Sequence, residues 1–232
     1  MTARLLTLVD NFSLSPGLKP AWGLSILVEV SGFKLLFDVG PSFTLLEHNA
    51  EALSVDLREV DAAFISHLHA DHVGAINGLL ALNPGLKVYI PDPKLRLGFV
   101  KSGFKAEVLE GPSCLAQGLY STGVVRGLID EQGLVVSSDV STALLTGCSH
   151  PGLKALVEAA LRASPSGRLD LVVGGFHINS PSEAVEAWEV LKAAGVSRVS
   201  PCHCTGPVAR SVLAELFKEG FLANGVGREI RL

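Results

Sequence analysis

The segment Ile65-Ser66-His67-Leu68-His69-Ala70-Asp71-His72-Val73-Gly74 decides both the fold and the chemistry expected of this chain. It places three of the seven histidines of the 232-residue chain, and one aspartate, within six positions that follow an apolar run. Neutral imidazole nitrogens together with a carboxylate oxygen suit a borderline divalent cation such as zinc, and also iron or manganese. The segment therefore predicts a metal site, which we expect to hold two ions.

The spacing inside this segment predicts two separate groups of ligands. Side chains alternate along an extended strand, so His67 and His69 lie on the same side. Asp71 and His72 are neighbours that diverge, and they can serve a second ion if the chain turns into a helix at that point. The alternative is a solvated histidine-rich turn that binds metal only adventitiously. The buried strand expected over 62–66 argues against that alternative.

Three later turns, each directly after a predicted strand, carry further candidate ligands. Loops held by rigid strands are the usual place for functional groups. We expect His150 and His203 to be metal ligands, whereas for His177 a ligand and a structural role both stay open. If 202–204 is extended, Cys202 and Cys204 point away from His203 and serve as small packing groups. His48, in a helix-like stretch, is expected to be an ordinary surface residue.

Asp38 is a carboxylate that follows the predicted buried strand 35–37. One interpretation is a cap on the turn at Val39-Gly40. The other is a hydrogen-bond acceptor that orients a metal-bound imidazole, which such imidazoles usually need. Both interpretations stay open.

The order of predicted elements favours a layered α/β fold. The first half is rich in strands, including a hairpin over 24–37 and a meander over 119–146 with turns at Gly127, Gly133 and 137–139. Helices and strands alternate after that, with helices expected over 153–163, 181–194 and 207–218. We find no internal repeat and no linker in the sequence, so we expect one domain over 1–232, built as an αβ/βα sandwich.

Composition excludes several classes of function. The 48% hydrophobic content allows a large core, and the net charge of −4 gives no electrostatic reason for a polyanionic partner. The sequence has no window near the roughly 18 apolar residues of a membrane-spanning helix. Four cysteines do not make a disulfide framework in a chain of this length. We expect a small-molecule substrate, no nucleic acid, no membrane and a reducing, cytoplasmic location, and the oligomeric state stays open.

The histidine-rich segment resembles the hallmark of the metallo-β-lactamase superfamily, His-x-His-x-Asp-His, and Asp38-Val39-Gly40 resembles that superfamily's early aspartate motif. Further segments resemble one branch, the 7,8-dihydropterin-6-methyl-4-(β-D-ribofuranosyl)aminobenzene-5'-phosphate synthase-like proteins, many of which carry only a general metal-dependent hydrolase label. Those segments are Gly23-Leu24-Ser25, Thr122-Gly123-Val124-Val125-Arg126, Gly147-Cys148-Ser149-His150, Gly174-Gly175-Phe176-His177 and Pro201-Cys202-His203-Cys204-Thr205-Gly206. The resemblance implies a metallo-β-lactamase-like four-layer αβ/βα sandwich with two divalent metal ions, zinc before iron or manganese.

Two positions depart from the pattern of this family. The branch commonly has a charged or polar pair before Gly-Leu-Ser, where this chain has Ala21-Trp22. Superfamily members commonly bridge their metals with an aspartate after a strand-end glycine, and here Cys148 follows Gly147. Either the Cys148 thiolate takes part or the bridge is solvent alone.

These observations lead to a hypothesis about mechanism. His67, His69 and His150 would hold one ion, and Asp71, His72 and His203 the other. A metal-bound hydroxide would attack a phosphorylated or ester-like small metabolite. Asp71 could also orient that nucleophile. Arg126 is the cation expected to contact phosphate, with a surface charge as its alternative role.

Two other functions stay open. The first is a transferase that joins a dihydropterin to a ribofuranosylaminobenzene phosphate with a pyrophosphate leaving group, as the branch label implies. The second is a non-catalytic metal or redox sensor that uses Cys148, Cys202 and Cys204.

Overall fold

Two β-sheets dominate the computed structural model, which describes residues 1–94, 96–103 and 105–232, without the side chain of residue 97. Within the described residues the first sheet has seven strands in the order β13-β1-β2-β3-β4-β5-β6. Its strands are β1 (Ala3–Val9), β2 (Ser25–Val30), β3 (Phe33–Phe37), β4 (Ala62–Phe64), β5 (Lys87–Ile90), β6 (Lys105–Val108) and β13 (Glu229–Arg231). Strands β3 to β6 are parallel to one another, and β13, β1, β2 and β3 pair antiparallel.

The second sheet has six strands among the described residues, in the order β12-β11-β10-β9-β8-β7. They are β7 (Ser113–Ala116), β8 (Leu119–Val125), β9 (Glu131–Ser137), β10 (Thr142–Thr146), β11 (Leu171–Gly174) and β12 (Arg198–Pro201). Strands β10, β11 and β12 are parallel, and the remaining pairs are antiparallel.

Helices cover the outer face of each sheet. They are α1 (Phe43–Ala52), α2 (Ala70–Val73), α3 (Ile76–Leu82), α4 (Arg96–Lys101), α5 (Leu153–Ala163), α6 (Pro181–Ala193) and α7 (Pro207–Phe217). Buried residues of α1 and α3 pack on the first sheet, and those of α5, α6 and α7 pack on the second. No helix within the described ranges has both the length and the apolar character needed to cross a bilayer.

The largest hydrophobic layer lies between the two sheets. Strand alternation sends Leu145 into this layer, while its neighbour Leu144 packs under the helices on the other face. The layer joins residues of the first sheet, such as Leu5, Val28 and Leu35, to Leu134 and Leu171 of the second. The resulting order of helix, sheet, sheet and helix confirms the αβ/βα four-layer sandwich that the sequence predicted.

Most predicted elements form, and two details differ. The predicted hairpin exists, with Ser31 and Gly32 at φ values of 51° and 85° in its two-residue turn. The prediction of a turn at Gly133 is wrong, because Gly133 lies inside β9, where an added Cβ would sit 2.8 Å from Cδ1 of Leu144. The helix that begins within the histidine-rich segment does not continue past Gly74, where an added Cβ would lie 2.1 Å from the Pro41 carbonyl oxygen.

The carboxyl ends of six strands meet at one edge of the sandwich. In the first sheet these are β1, β3 and β4, since β1 and β3 are both antiparallel to β2. In the second they are β10, β11 and β12. Every histidine of the expected metal site follows one of these strands.

We expect the layer between the sheets to dominate stability. Leu145→Ala should lower the free energy of unfolding by about 2–5 kcal/mol, because it opens a cavity in a fully buried position. The same substitution at Leu128, which is fully exposed, should change it by less than about 0.5 kcal/mol. Urea unfolding followed by circular dichroism measures both, and equal losses would contradict this assignment of the core.

Candidate metal centre

The turn after β4 places the histidine-rich segment at the edge of the sandwich. His69 is extended and immediately precedes the short helix α2. The chain thus changes from extended to helical between His69 and Asp71, as the spacing argument required. His67 and His72 are fully buried, whereas His69 is exposed and Asp71 is partly exposed.

The structure brings His67, His69 and His150 together. One nitrogen of each ring lies within 4.8 Å of the other two, and Nε2 of His67 is 3.2 Å from Nδ1 of His69. Nε2 of His150 is buried and has no hydrogen-bond partner among the described residues. Because a buried polar atom without a partner is costly, this nitrogen indicates a missing ligand, and a divalent cation satisfies it.

A second group lies beside the first. Nε2 of His72 and Nε2 of His203 are 3.1 Å apart. Oδ2 of Asp71 is 3.2 Å from Nε2 of His203 and 3.6 Å from Nε2 of His72. Two imidazoles and a carboxylate whose ligand atoms lie this close together form a donor set that suits zinc, iron or manganese.

Asp38 orients residues of both groups through hydrogen bonds to Ser66 and His72. Its buried carboxylate accepts the backbone N–H and the hydroxyl of Ser66 at 2.7 Å each. It also accepts Nδ1–H of His72 at 2.7 Å. Of the two roles open for Asp38, the structure thus shows the contact with an imidazole, which leaves Nε2 of His72 free to face the second group.

Ser66 extends this control to His67. Its hydroxyl oxygen is 3.0 Å from Nδ1 of His67. Since the hydroxyl proton is donated to Asp38, Nδ1 of His67 carries the proton of that hydrogen bond. Nε2 of His67 therefore presents its lone pair to the first group.

Three imidazoles of the centre have lowered pKa values, which suits them to bind a cation at neutral pH. Burial and neighbouring imidazoles lower the pKa of His67 well below its ordinary value. The same causes lower the pKa of His150 to about 4 and that of His203 to about 3. Burial alone would lower the pKa of His72, but Asp38 raises it above its ordinary value. His67, His150 and His203 are therefore uncharged at pH 7.

His203 is positioned by two residues that the sequence analysis missed. Oδ1 of Asp10 accepts the backbone N–H of His203 at 2.8 Å. Asn11 donates its amide to the His203 carbonyl at 2.8 Å, and its Oδ1 lies 3.2 Å from Nδ1 of His203. Both residues follow β1, so the reasoning that singled out Asp38 after β3 applies equally to them.

Glu131 is another residue that the sequence analysis missed. Its fully buried carboxylate accepts four consecutive backbone N–H groups at 2.9–3.1 Å, those of Gly147, Cys148, Ser149 and His150. Burial raises the pKa of Glu131, and the N–H groups oppose that shift. The turn that carries Cys148 and His150 is thus wrapped around a single side chain. In the sequence, the one signal for this role was a single glutamate at the start of an apolar strand.

The remaining candidates lie in varied surroundings. Sγ of Cys148 is 3.4 Å from Nε2 of His72, at the position where the family pattern places an aspartate. The His177 ring contacts the His150 ring, with centroids 4.9 Å apart. Arg126 is exposed and pairs with Asp130, and its contact with phosphate stays a prediction.

The other two residues considered from the sequence lie away from the ligand groups. Cys202 is fully buried in the layer between the sheets, as expected of a packing group. His48 is partly exposed, and its Nε2 lies 3.0 Å from the Gly17 carbonyl oxygen.

The backbone is strained where it enters the centre. Asp38, Ser149, His177 and His203 all have φ values between 49° and 62°, a region that residues other than glycine rarely adopt. Such strain gathers at functional sites, where the surrounding hydrogen bonds enforce it. Here those bonds come from Ser66, Glu131 and Asp10.

Asp38→Asn should weaken zinc binding by about 10–100-fold, because the amide cannot accept all three hydrogen bonds that orient His72 and Ser66. Asp139→Asn is the matched control, since Asp139 is exposed and pairs with the terminal amine. Competition with a chromophoric chelator measures both affinities. An Asp38→Asn protein with the affinity of the control would contradict the role given to Asp38.

Glu131→Gln should lower the free energy of unfolding by about 1–3 kcal/mol, because one buried N–H group loses its acceptor. It should also weaken the binding of metal by His150. Glu158→Gln, on the exposed face of α5, is the matched control. Thermal unfolding with and without zinc measures both effects. If zinc stabilises the variant as strongly as it stabilises the control, the predicted weakening of metal binding by His150 is refuted.

Comparison with known proteins identifies the family. The model of the metallo-beta-lactamase superfamily matches residues 23–152, which include Asp38, the histidine-rich segment and His150. The 7,8-dihydropterin-6-methyl-4-(beta-D-ribofuranosyl)-aminobenzene-5'-phosphate synthase of Methanocaldococcus jannaschii is 25% identical over 91% of this chain and 91% of that protein.

Solved structures share the fold. Tm1679, described as a metal-dependent hydrolase of the beta-lactamase superfamily, superposes with a TM-score of 0.82 at 26% identity, over 98% of each chain. The metallo-beta-lactamase fold protein YhfI from Bacillus subtilis gives a TM-score of 0.72 at 16% identity, over 99% of each chain. The family model covers more than half of the sequence, and the chain therefore belongs to the metallo-β-lactamase superfamily.

Proposed function

We propose that this protein is a metal-dependent hydrolase that cleaves a small phosphorylated metabolite. The observation that carries the proposal is the pair of adjacent ligand groups, one of three imidazoles and one of two imidazoles and a carboxylate. Two divalent cations, zinc in the first place, would supply Lewis-acid activation of water and stabilise charge on the leaving oxygen.

The residues of the chain prepare this chemistry. Asp38 and Ser66 fix the ring orientation of His72 and His67, so both present Nε2 to the centre. Asn11 does the same for His203 through Nδ1. Ligands held by such contacts need little rearrangement during the reaction.

Asp71 is the group that we assign to proton handling. Its carboxylate is partly exposed, and it lies between the imidazoles of the second group and solvent. A carboxylate there can accept a proton from the attacking water and orient that water.

A cavity beside His150 supports a small substrate. Its volume is about 510 Å³, within the size range of small-molecule sites. His150 and His177 line the side next to the centre, and Phe176 and Val190 give it an apolar wall. Lys154 is the one lysine or arginine among the described lining residues, so we assign the phosphate contact to Lys154 in preference to Arg126.

Isotope labelling tests the proposal. Zinc-loaded protein is incubated in ¹⁸O-water with sugar phosphates and aryl phosphates, and mass spectrometry follows the released phosphate. Hydrolysis places one ¹⁸O atom in that phosphate, and Asp71→Asn should slow release at least about 100-fold. Asp56→Asn, at a partly exposed carboxylate paired with Arg58, is the matched control. Zinc content is measured for each protein, and absence of labelled phosphate from every ester would refute the proposal.

The similarity to the archaeal synthase supports a second candidate, a transferase that joins a dihydropterin to a ribofuranosylaminobenzene phosphate. The same labelled water separates the two reactions. A transferase would release pyrophosphate and form a coupled product that contains no ¹⁸O.

A further inference from the structure

A third cluster of potential metal ligands lies beside the two groups described above. Sγ of Cys148, a ring nitrogen of His177 and Sγ of Cys204 all lie within 4.8 Å of one another. Cys148 and Cys204 are buried, and neither forms a disulfide. Ligand atoms of a bound zinc ion have comparable separations, since Zn–S and Zn–N bonds are about 2.3 Å and about 2.0 Å.

Three adjacent parallel strands build this cluster. Thr146 at the end of β10 pairs with Gly174 at the end of β11, which pairs with Pro201 at the end of β12. The turns after these strands then carry Cys148, His177 and Cys204, so the three ligands lie in neighbouring turns by the register of the sheet.

Glycine permits the close approach of these turns. A Cβ at Gly175 would lie 2.5 Å from Sγ of Cys204 and 2.4 Å from the Gly147 carbonyl oxygen. A side chain there would separate the β11 turn from the other two. His177 has a φ of 52°, so the chain accepts strain at the residue that supplies the imidazole.

Packing does not account for Cys204 in the way that it accounts for Cys202. Cys202 belongs to the hydrophobic layer between the sheets. Cys204 lies outside that layer, and its thiol faces the Cys148 carbonyl oxygen at 3.7 Å. Cys204 is buried, as a packing group would be, but its surroundings differ from those of Cys202.

We propose that Cys148, His177 and Cys204 form a thiolate metal site that takes a thiophilic divalent cation of the zinc class. Two thiolates and one imidazole are three protein ligands, which leave a fourth position open on a tetrahedral ion. Soft thiolate ligands favour zinc over manganese or magnesium. Cys148 stands between this site and the second group, because its Sγ is 3.4 Å from Nε2 of His72.

Cobalt substitution tests the site without reference to any substrate. Co²⁺ added anaerobically to the reduced protein gives a near-ultraviolet charge-transfer band for each thiolate that it binds. We expect this band in the wild-type protein, about half of its intensity in Cys204→Ser, and none in the Cys148→Ser/Cys204→Ser double variant, in proportion to the thiolates left. Cys202→Ala and Cys114→Ser, which remove cysteines outside the site, should leave the band unchanged.

His177→Asn is the variant that leaves the buried thiols in place. Asparagine tolerates the left-handed φ of this position, so the backbone is retained. We expect Co²⁺ affinity measured at the thiolate band to fall about 10-fold or more through loss of the imidazole. His48→Asn, at a partly exposed histidine that belongs to none of the ligand clusters, is the matched control and should bind as the wild type does.

Three outcomes would overturn the proposal: no thiolate band in Co²⁺-saturated wild-type protein, a band that Cys204→Ser leaves at full intensity, or a His177→Asn affinity equal to that of the control. These results are independent of the labelled-water experiment, because hydrolysis at the two histidine groups does not require the thiolate band.

Discussion

The centre depends on the hydrogen bonds that the buried carboxylate of Asp38 accepts. A fully buried charge is costly unless hydrogen bonds satisfy it, and Asp38 obtains its bonds from Ser66 and His72. Because Ser66 in turn binds His67, one carboxylate sets the orientation of an imidazole in each ligand group. The hydrogen bonds that offset the cost of burying Asp38 are therefore the same bonds that set the geometry of the centre.

Glu131 of the second sheet is also a buried carboxylate whose charge is satisfied by hydrogen bonds. There the buried carboxylate takes its bonds from the backbone of four consecutive residues instead of from side chains. Asp38 therefore orients rings within a turn, whereas Glu131 gives the turn itself its shape. The first sheet contributes two buried acids to the centre, Asp10 and Asp38, and the second contributes Glu131. The two sheets are joined beside the centre where Gln132 of β9 donates its backbone N–H to the Ser66 carbonyl at 2.9 Å.

Sequence reasoning reached the parts of the centre that have a local signature. The histidine-rich segment, the strand-end histidines and the layered fold all follow from short spacings and from alternation along strands. Glu131 and Asp10 have only a weak local signature, a single carboxylate next to an apolar strand, and their partners lie 16–19 and 193 residues away, so their contacts could not be inferred from spacing. Cys204 was assigned from alternation within 202–204, but the positive φ of His203 breaks the extended chain there, so the two cysteines enter different surroundings.

The three ligand clusters described above lie side by side but differ in the hardness of their donor atoms. His67, His69 and His150 offer nitrogen only, the Asp71 group adds an oxygen, and the Cys204 group offers two sulfurs. Cys148 borders both the second and the third cluster, because its Sγ lies near His72 as well as near Cys204. An aspartate at that position would leave Cys204 as the one sulfur donor in these clusters and would place an oxygen donor beside the second group. With a thiol there, the chain places two soft donors next to His72, the imidazole that Asp38 binds directly, and soft thiolates suit thiophilic cations better than manganese or magnesium.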